Sequence, residues 1–243
     1  KLIVYWHLDI VKQKLLKNFF VIQNRRLVAR ADLLLATSPM YVEGSPYLST
    51  VQKKCQIVPN CINVERLRLS SEVREKAEEI REANKDKIIC LAVGRHTKYK
   101  GFKYLIQAAR LLDDRFQIFI TGKGEESQKL KRQAGADSKI HFLGLVDDIE
   151  LKGYLAAMDI FCFPSISKNE AFGLALAEGM YYGKPAVTFT IPGSGVNYVC
   201  RNGKEGIEVP NRDVRKYAYA MMALADDREL RDRMGAAGKK RVE

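Results

Sequence analysis

The sequence has few features of a secreted, metal-bound or membrane-spanning protein. Its five cysteines, Cys55, Cys61, Cys90, Cys162 and Cys200, contain no Cys-x-x-Cys pair. That argues against a zinc-ligand spacing or a disulfide framework and makes a reducing cytoplasm the expected setting. Cys90 and Cys162 lie in apolar runs, where a thiol behaves as a small buried hydrophobe. No apolar run approaches the roughly 20 residues that cross a bilayer; stretches such as Ile88–Val93 are strand-length. A secretory leader is not legible at the start. The Gly-Lys-Ser/Thr ending of a P-loop is missing after Gly122, and no Asp-x-Asp stands at a strand end. There is no initiating methionine: Leu2-Ile3-Val4-Tyr5-Trp6 reads as a strand with nothing before it to pair with, and Gly238–Glu243 stops inside a helical pattern. The expectation is a fragment lacking sequence at both ends.

What is present is an ordinary globular composition over 243 residues, 47% hydrophobic and 29% charged, with a formal net charge of +12. Such a charge suits a phosphate-bearing ligand, an anionic surface or a polyanion. Six basic residues (Lys12, Lys14, Lys17, Arg25, Arg26 and Arg30) occur in a span without a single acid, which reads either as a solvated helix face or as one that meets an anionic membrane. Nucleic acid is not an expected partner, because the aromatic residues are not interleaved with the basic ones as stacking platforms.

Apolar periodicity alternates between short runs and helical stretches nearly throughout. Strands are expected at Leu2–Trp6, Leu33–Thr37, Gln56–Val58, Ile88–Gly94, Gln117–Thr121, Ile140–Leu143, Ile160–Phe163, Ala186–Phe189 and Gly206–Val209. Helical patterns fall between them, at Phe102–Leu112, Ser127–Ala134, Ile149–Met158, Gly173–Tyr182 and Val214–Ala225. Strand and helix in alternation imply parallel sheets flanked by helices, a doubly wound α/β design. Pro59-Asn60 closes one alternating set and a charged helical stretch, Ser71–Lys87, follows. The expected division is a partial first domain over residues 1–66, a connector over 67–86 and a fuller second domain over 87–243.

Ligands of doubly wound sheets bind at the carboxyl ends of strands, and four segments lie there. Gly94-Arg95-His96-Thr97-Lys98-Tyr99-Lys100-Gly101 places two cations, Arg95 and Lys100, before a helix start, a suitable diphosphate cradle; a basic surface loop explains it as well. His96 is expected at the surface. Gly122-Lys123-Gly124-Glu125 and Pro192-Gly193-Ser194-Gly195 read equally as ligand loops or plain turns. The strongest is Glu170-Ala171-Phe172-Gly173-Leu174-Ala175-Leu176-Ala177-Glu178, with two carboxylates eight positions apart and a helix start expected near Phe172. Carboxylates hold diols through paired hydrogen bonds, so one could meet a sugar and the other a ribose. A charge-capped helix accounts for Glu170 but poorly for Glu178, which is set among Ala, Leu, Gly and Met. Asp147-Asp148 reads as a helix N-cap, Trp6 and Phe163 as core, His141 as structural, and Tyr181-Tyr182 as packing behind the site.

Taken in order, Val93-Gly94-Arg95, Lys100-Gly101, Phe142-Leu143-Gly144, Phe163-Pro164-Ser165, Glu170-x7-Glu178 and Gly206–Pro210 resemble the family 4 (group 1) retaining glycosyltransferases, of the type that builds cell-surface polysaccharides and lipid-linked glycans. Pro59-Asn60 is similar to that family's domain crossover, and Trp6-His7-Leu8-Asp9 to a first-domain loop bearing an active-site histidine. The resemblance implies the GT-B fold, two Rossmann-like domains of which the first is incomplete here. It implies that Arg95 and Lys100 hold the diphosphate and neutralise the leaving group, that Glu178 binds the ribose, and that Glu170 contacts the donor sugar. Phe172, Gly173 and Leu174 would lie beside sugar and phosphate, Gly144 through Val146 to Asp147 would read the base, and His7 would face the transferred sugar. Catalytic roles thus fall to His7, Glu170, Arg95 and Lys100. No metal or cofactor is implied, since the nucleotide sugar is a substrate and cations and helix amides can carry the charge. Cys61, Asn63 and Asn197 stand where the family commonly has glycine, aspartate and glutamate.

The expected function is transfer of a sugar, with retention, from a UDP- or GDP-linked donor to a glycan or lipid-linked acceptor. Nucleotide-sugar epimerase and a catalytically silent nucleotide-binding subunit are the alternatives; a phosphorylase is disfavoured because no lysine site for a pyridoxal cofactor is evident. The expected location is cytoplasmic, with possible peripheral contact at the inner face of an anionic membrane.

Overall fold

The computed structural model describes residues 1–9 and 14–243, with the side chains of residues 14–19 outside that description. Among the described residues the strands form two parallel sheets. The first comprises β1 (Ile3–Trp6), β2 (Leu33–Ala36) and β3 (Cys55–Ile57) in that order, with Ile3 opposite Leu33 and Leu34 opposite Cys55. Helices α1 (Lys14–Arg30) and α2 (Pro39–Gly44) link these strands. A small core of Trp6, Val28, Leu34, Tyr41, Tyr47 and Leu48 holds this unit together.

The chain then passes through the short helix α3 (Val64–Leu67), capped by the Asn63 side chain, to α4 (Ser71–Ala83), capped by Ser70. The second sheet contains β4 (Ile88–Val93), β5 (Phe116–Thr121), β6 (Ile140–Gly144), β7 (Ile160–Phe163), β8 (Ala186–Phe189) and β9 (Gly206–Val209), in the order β6-β5-β4-β7-β8-β9. Its central strands are unbroken apolar runs because both faces are covered by helices; β7 and β8 are buried at every position. The covering helices are α5 (Phe102–Ala109), α6 (Ser127–Ala134), α7 (Asp148–Ala157), α8 (Leu174–Tyr181), α9 (Val196–Val199), α10 (Val214–Asp226) and α11 (Arg228–Val242). As the sequence suggested, Asp147 caps α7, and Asp213 and Asp227 do the same for α10 and α11. Helix α4 packs on α7, and Arg81 makes a two-pronged pair with Asp159 at 2.8 and 2.9 Å.

The strand order fixes where a ligand can go. From β4 the chain winds outward through β5 and β6, then returns to lay β7 on the other side of β4. The winding direction thus reverses between β4 and β7, and the carboxyl ends of these two strands are where a doubly wound sheet binds its ligand. All nine expected strands form within a residue or two of their predicted bounds.

Candidate active site

The loop after β4 carries Gly94 to Gly101. Gly94 adopts φ 150° and the Lys100 side chain lies over it, so that a Cβ there would meet Lys100 Cε at 3.3 Å. Gly101 turns the loop into α5 at φ 68°, with the Pro164 carbonyl so close that a Cβ would fall 1.9 Å from its oxygen. The loops after β4 and β7 are thereby pressed together backbone to backbone. Lys100 Nζ reaches Glu170 Oε2 at 2.5 Å, and the Ser165 hydroxyl donates to the same oxygen at 3.1 Å. Arg95 is exposed, and its guanidinium has no hydrogen-bond or ion-pair partner among the described residues. One cation is thus already paired and the other is free for an anion.

The histidine between them is a correction. His96 was expected at the surface, but only 2% of it is exposed. Its Nδ1 shares a 2.9 Å hydrogen bond with the Ser127 hydroxyl, and its ring stands edge-on to Phe102 and Phe142. Burial pushes its pKa below the ordinary histidine value, favouring the neutral ring. Sequence gave no sign of this, because the aromatic partners lie on other elements.

Helix α8 begins at Leu174, within two residues of the expected start, with Gly173 in the left-handed region at φ 94° as its N-cap. Phe172 is buried and packs in the core, while Leu174 is exposed. The free amides of the first turn therefore follow Glu170 by four residues, and Glu178 stands about 6 Å into the helix at 1.5 Å per residue. Glu170 is held from behind by the loop after β8: Ser194 Oγ donates to its carbonyl, and Gly195 N–H donates to Ala171 O at 2.9 Å. Asn197 is structural, bonding Ile191 N at 2.9 Å and Phe189 O at 3.1 Å.

Glu178 looks toward α3. Its Oε1 lies 3.9 Å from Arg66, which pairs more closely with Asp148 at 2.7 Å. Burial raises the Glu178 carboxyl above its ordinary pKa, opposed by the Arg66 cation. Lys152 binds both Asp148, at 2.7 Å, and the Arg66 carbonyl, at 2.8 Å, while the Tyr182 hydroxyl donates to Leu67 O. Gly144 ends β6 at φ 74° and accepts from Gly122 N–H and the Thr121 hydroxyl; Val146 is half-buried beside it. Arg66 and Asp148 were not among the expected site residues, since their meeting spans 82 positions of sequence.

His7 is exposed at the end of β1, its ring 4.0 Å from that of Tyr5. The structure brings Lys100 and Glu170 into contact, and sets Glu178 beside α3. His7 is linked to them through its neighbour: Asp9 Oδ2 lies 3.3 Å from Lys168 Nζ in the Glu170 loop.

Chemically, the crevice offers one free and one paired cation, a helix N-terminus and two carboxylates of different setting. This can bind an anion joined to hydroxyl-bearing groups on either side.

Comparison with known proteins bears on the family and the fold. The chain is 29% identical over 235 residues to the D-rhamnosyltransferase WbpZ of Pseudomonas aeruginosa, covering 96% of this chain and 60% of that protein. It is 29% identical over 243 residues to the O-antigen chain mannosyltransferase C of Escherichia coli, covering 99% of this chain and 64% of that protein. The chain thus spans less than two thirds of the length of these relatives. A crystal structure of HepE from Anabaena, in complex with UDP and glucose, superposes with a TM-score of 0.75 at 19% identity over 97% of this chain and 65% of that one. The fold is α/β with two Rossmann-like parallel sheets, as in GT-B glycosyltransferases, the first having three strands among the described residues. The family model described as glycosyl transferases group 1 matches residues 73–241, well over half of the chain, and the chain belongs to that family.

Proposed function

We propose that the crevice between β4 and β7 is the donor site of a retaining glycosyltransferase that moves a sugar from UDP or GDP to a glycan or lipid-linked acceptor. The observation that carries this reading is the Lys100–Glu170 contact beside the unpaired Arg95. Cleavage of the sugar–phosphate bond leaves negative charge on the diphosphate, which Arg95, Lys100 and the amides opening α8 would stabilise. Glu170 would then accept from the sugar hydroxyls and Glu178 from the ribose diol. The backbone from Gly144 to Val146 would meet the base, and His7 the transferred sugar. The cations serve the role that a divalent ion fills elsewhere, so transfer proceeds without metal. The WbpZ and mannosyltransferase relatives favour an acceptor in surface glycan or lipid-linked glycan assembly.

Calorimetry with UDP and GDP in EDTA tests this. Binding of one nucleotide, lost in both Arg95→Ala and Glu178→Ala, is the expected result. Binding that persists undiminished in both variants would remove the site from this crevice.

Membrane contact is a second element of the reading. No helix among the described residues is long and apolar enough to cross a membrane. On α1, Arg25, Arg26 and Arg30 are exposed together with Ile22 and Leu27; Lys12 and the side chains of Lys14 and Lys17 lie outside the described residues. Basic and apolar groups on one exposed helix suit the inner face of an anionic membrane. Co-sedimentation with vesicles should rise with phosphatidylserine content and fall in an Arg25→Glu, Arg26→Glu variant; indifference to anionic lipid would count against it.

A further inference from the structure

Asp9 is a buried carboxylate, its side chain 3% exposed, and its two oxygens face different units. Oδ1 accepts from Trp6 Nε1 at 3.0 Å and from the Ser45 hydroxyl at 2.9 Å, both of its own unit. Its amide donates to the Tyr41 hydroxyl at 2.5 Å. Oδ2 points away from these donors and meets Lys168 Nζ at 3.3 Å, the only cation within ion-pair distance among the described residues. Lys168 also donates to the Gly44 carbonyl at 3.1 Å. Both bonds cross from the loop after β7 to the first unit. Beside them Gly44 and Gly193 touch backbone to backbone, a Cβ on Gly44 falling 2.2 Å from Gly193 Cα. A buried carboxylate without its cation is costly, so the pair favours the juxtaposition of the two units that supplies Lys168.

The sequence position of both partners gives this a consequence. Lys168 precedes Glu170 by two residues, and Asp9 follows His7 by two. We infer that Lys168 is a positioning residue: by pairing with Asp9 it sets the His7 segment of the first unit against the Glu170 loop of the second. Lys168 is given no part in holding the donor, because both of its bonds go to the first unit, to Asp9 and to the Gly44 carbonyl. This inference rests on the donor-site reading, because the value of the alignment lies in bringing His7 to the transferred sugar. A misplacement near 1 Å can cost about 100-fold in rate, so the effect belongs in turnover and not in nucleotide affinity.

The test uses the full-length protein with Cys55 and Cys61 changed to serine and spin labels on Thr50→Cys and Lys204→Cys, one in each unit. Dipolar distances, nucleotide binding and consumption of UDP-glucose and GDP-mannose are compared for wild type, Lys168→Met and Lys168→Arg. Lys168→Met is expected to broaden the distance distribution and lower turnover about 10- to 100-fold, with UDP or GDP affinity within about twofold and with recovery in Lys168→Arg. A distribution unchanged in Lys168→Met, or turnover and nucleotide affinity falling in parallel, overturns the inference. Wild-type protein that binds neither nucleotide defeats the donor-site reading instead, and with it the catalytic use of the pair, while the distances still decide whether Lys168 joins the units.

Discussion

Lys100 Nζ sits 2.5 Å from Glu170 Oε2, with the two side chains only 12% and 13% exposed. In the proposed donor site the two groups have opposite tasks, one toward phosphate and the other toward sugar, yet they pair with each other. A diphosphate bound there would compete with Glu170 for Lys100. Substituting Glu170→Gln is therefore expected to strengthen binding of free UDP or GDP, since the competitor loses its charge, while transfer falls. Lys100→Ala is expected to weaken nucleotide binding by about 10- to 100-fold, as for loss of a charged hydrogen bond. Calorimetry on the two variants reads both signs.

Glu178 supplies a pH dependence. Burial raises its pKa above the ordinary carboxylate value and Arg66 pulls it down. If Glu178 holds the ribose diol as proposed, it must be ionised to accept both hydroxyls, so nucleotide affinity is expected to fall as pH drops from neutrality through the raised value. Arg66→Met removes the opposing cation and should shift this midpoint to higher pH. A raised pKa also means the fold favours the protonated form, so Glu178 costs stability as pH rises through it. Glu178→Gln is expected to abolish nucleotide binding while holding or raising Tm at neutral pH. Titrations between pH 5 and pH 8, with thermal melts, check both.

His96 acts in the other direction. Burial lowers its pKa, whereas the unfolded chain takes up a proton near pH 6.5. The unfolded state then binds more protons between the two values, and stability is lost as pH falls through that window. Replacing the ring by Phe, which can share the contacts with Phe102 and Phe142, should flatten this part of the stability profile. Urea unfolding midpoints at pH 7.5, 6.5 and 5.5 measure it.

Gly101 cannot accept a side chain. Its φ of 68° strains any L residue, and a Cβ would collide with the Pro164 carbonyl. The backbone strain alone is about 1–3 kcal/mol, which for a chain of this size lowers Tm by roughly 2–4 °C per kcal/mol. Gly101→Ala is expected to lower Tm by at least about 4 °C and to weaken UDP or GDP binding by separating Lys100 from Glu170. Gly183→Ala, at φ 70° but with open space around the Cβ, should cost Tm without touching nucleotide affinity.

Alternating apolar runs determined the strands, their parallel pairing and the crevice at their carboxyl ends, because a strand buried on both faces must be apolar throughout and its crossovers must be helices. The residues by themselves marked Glu178, a charge in an otherwise apolar helix, whereas Arg95, Lys100 and Glu170 had plain structural readings and were marked by the family resemblance. Tertiary structure alone decided which of these meet. The Lys100–Glu170 contact joins loops 70 positions apart, and Asp9–Lys168 and Arg66–Asp148 span longer separations still. It also decided that His96 is buried. Periodicity reports the face of one element, whereas an ion pair or a buried ring depends on what a different element brings opposite it, and that is settled only when the sheets close on their helices.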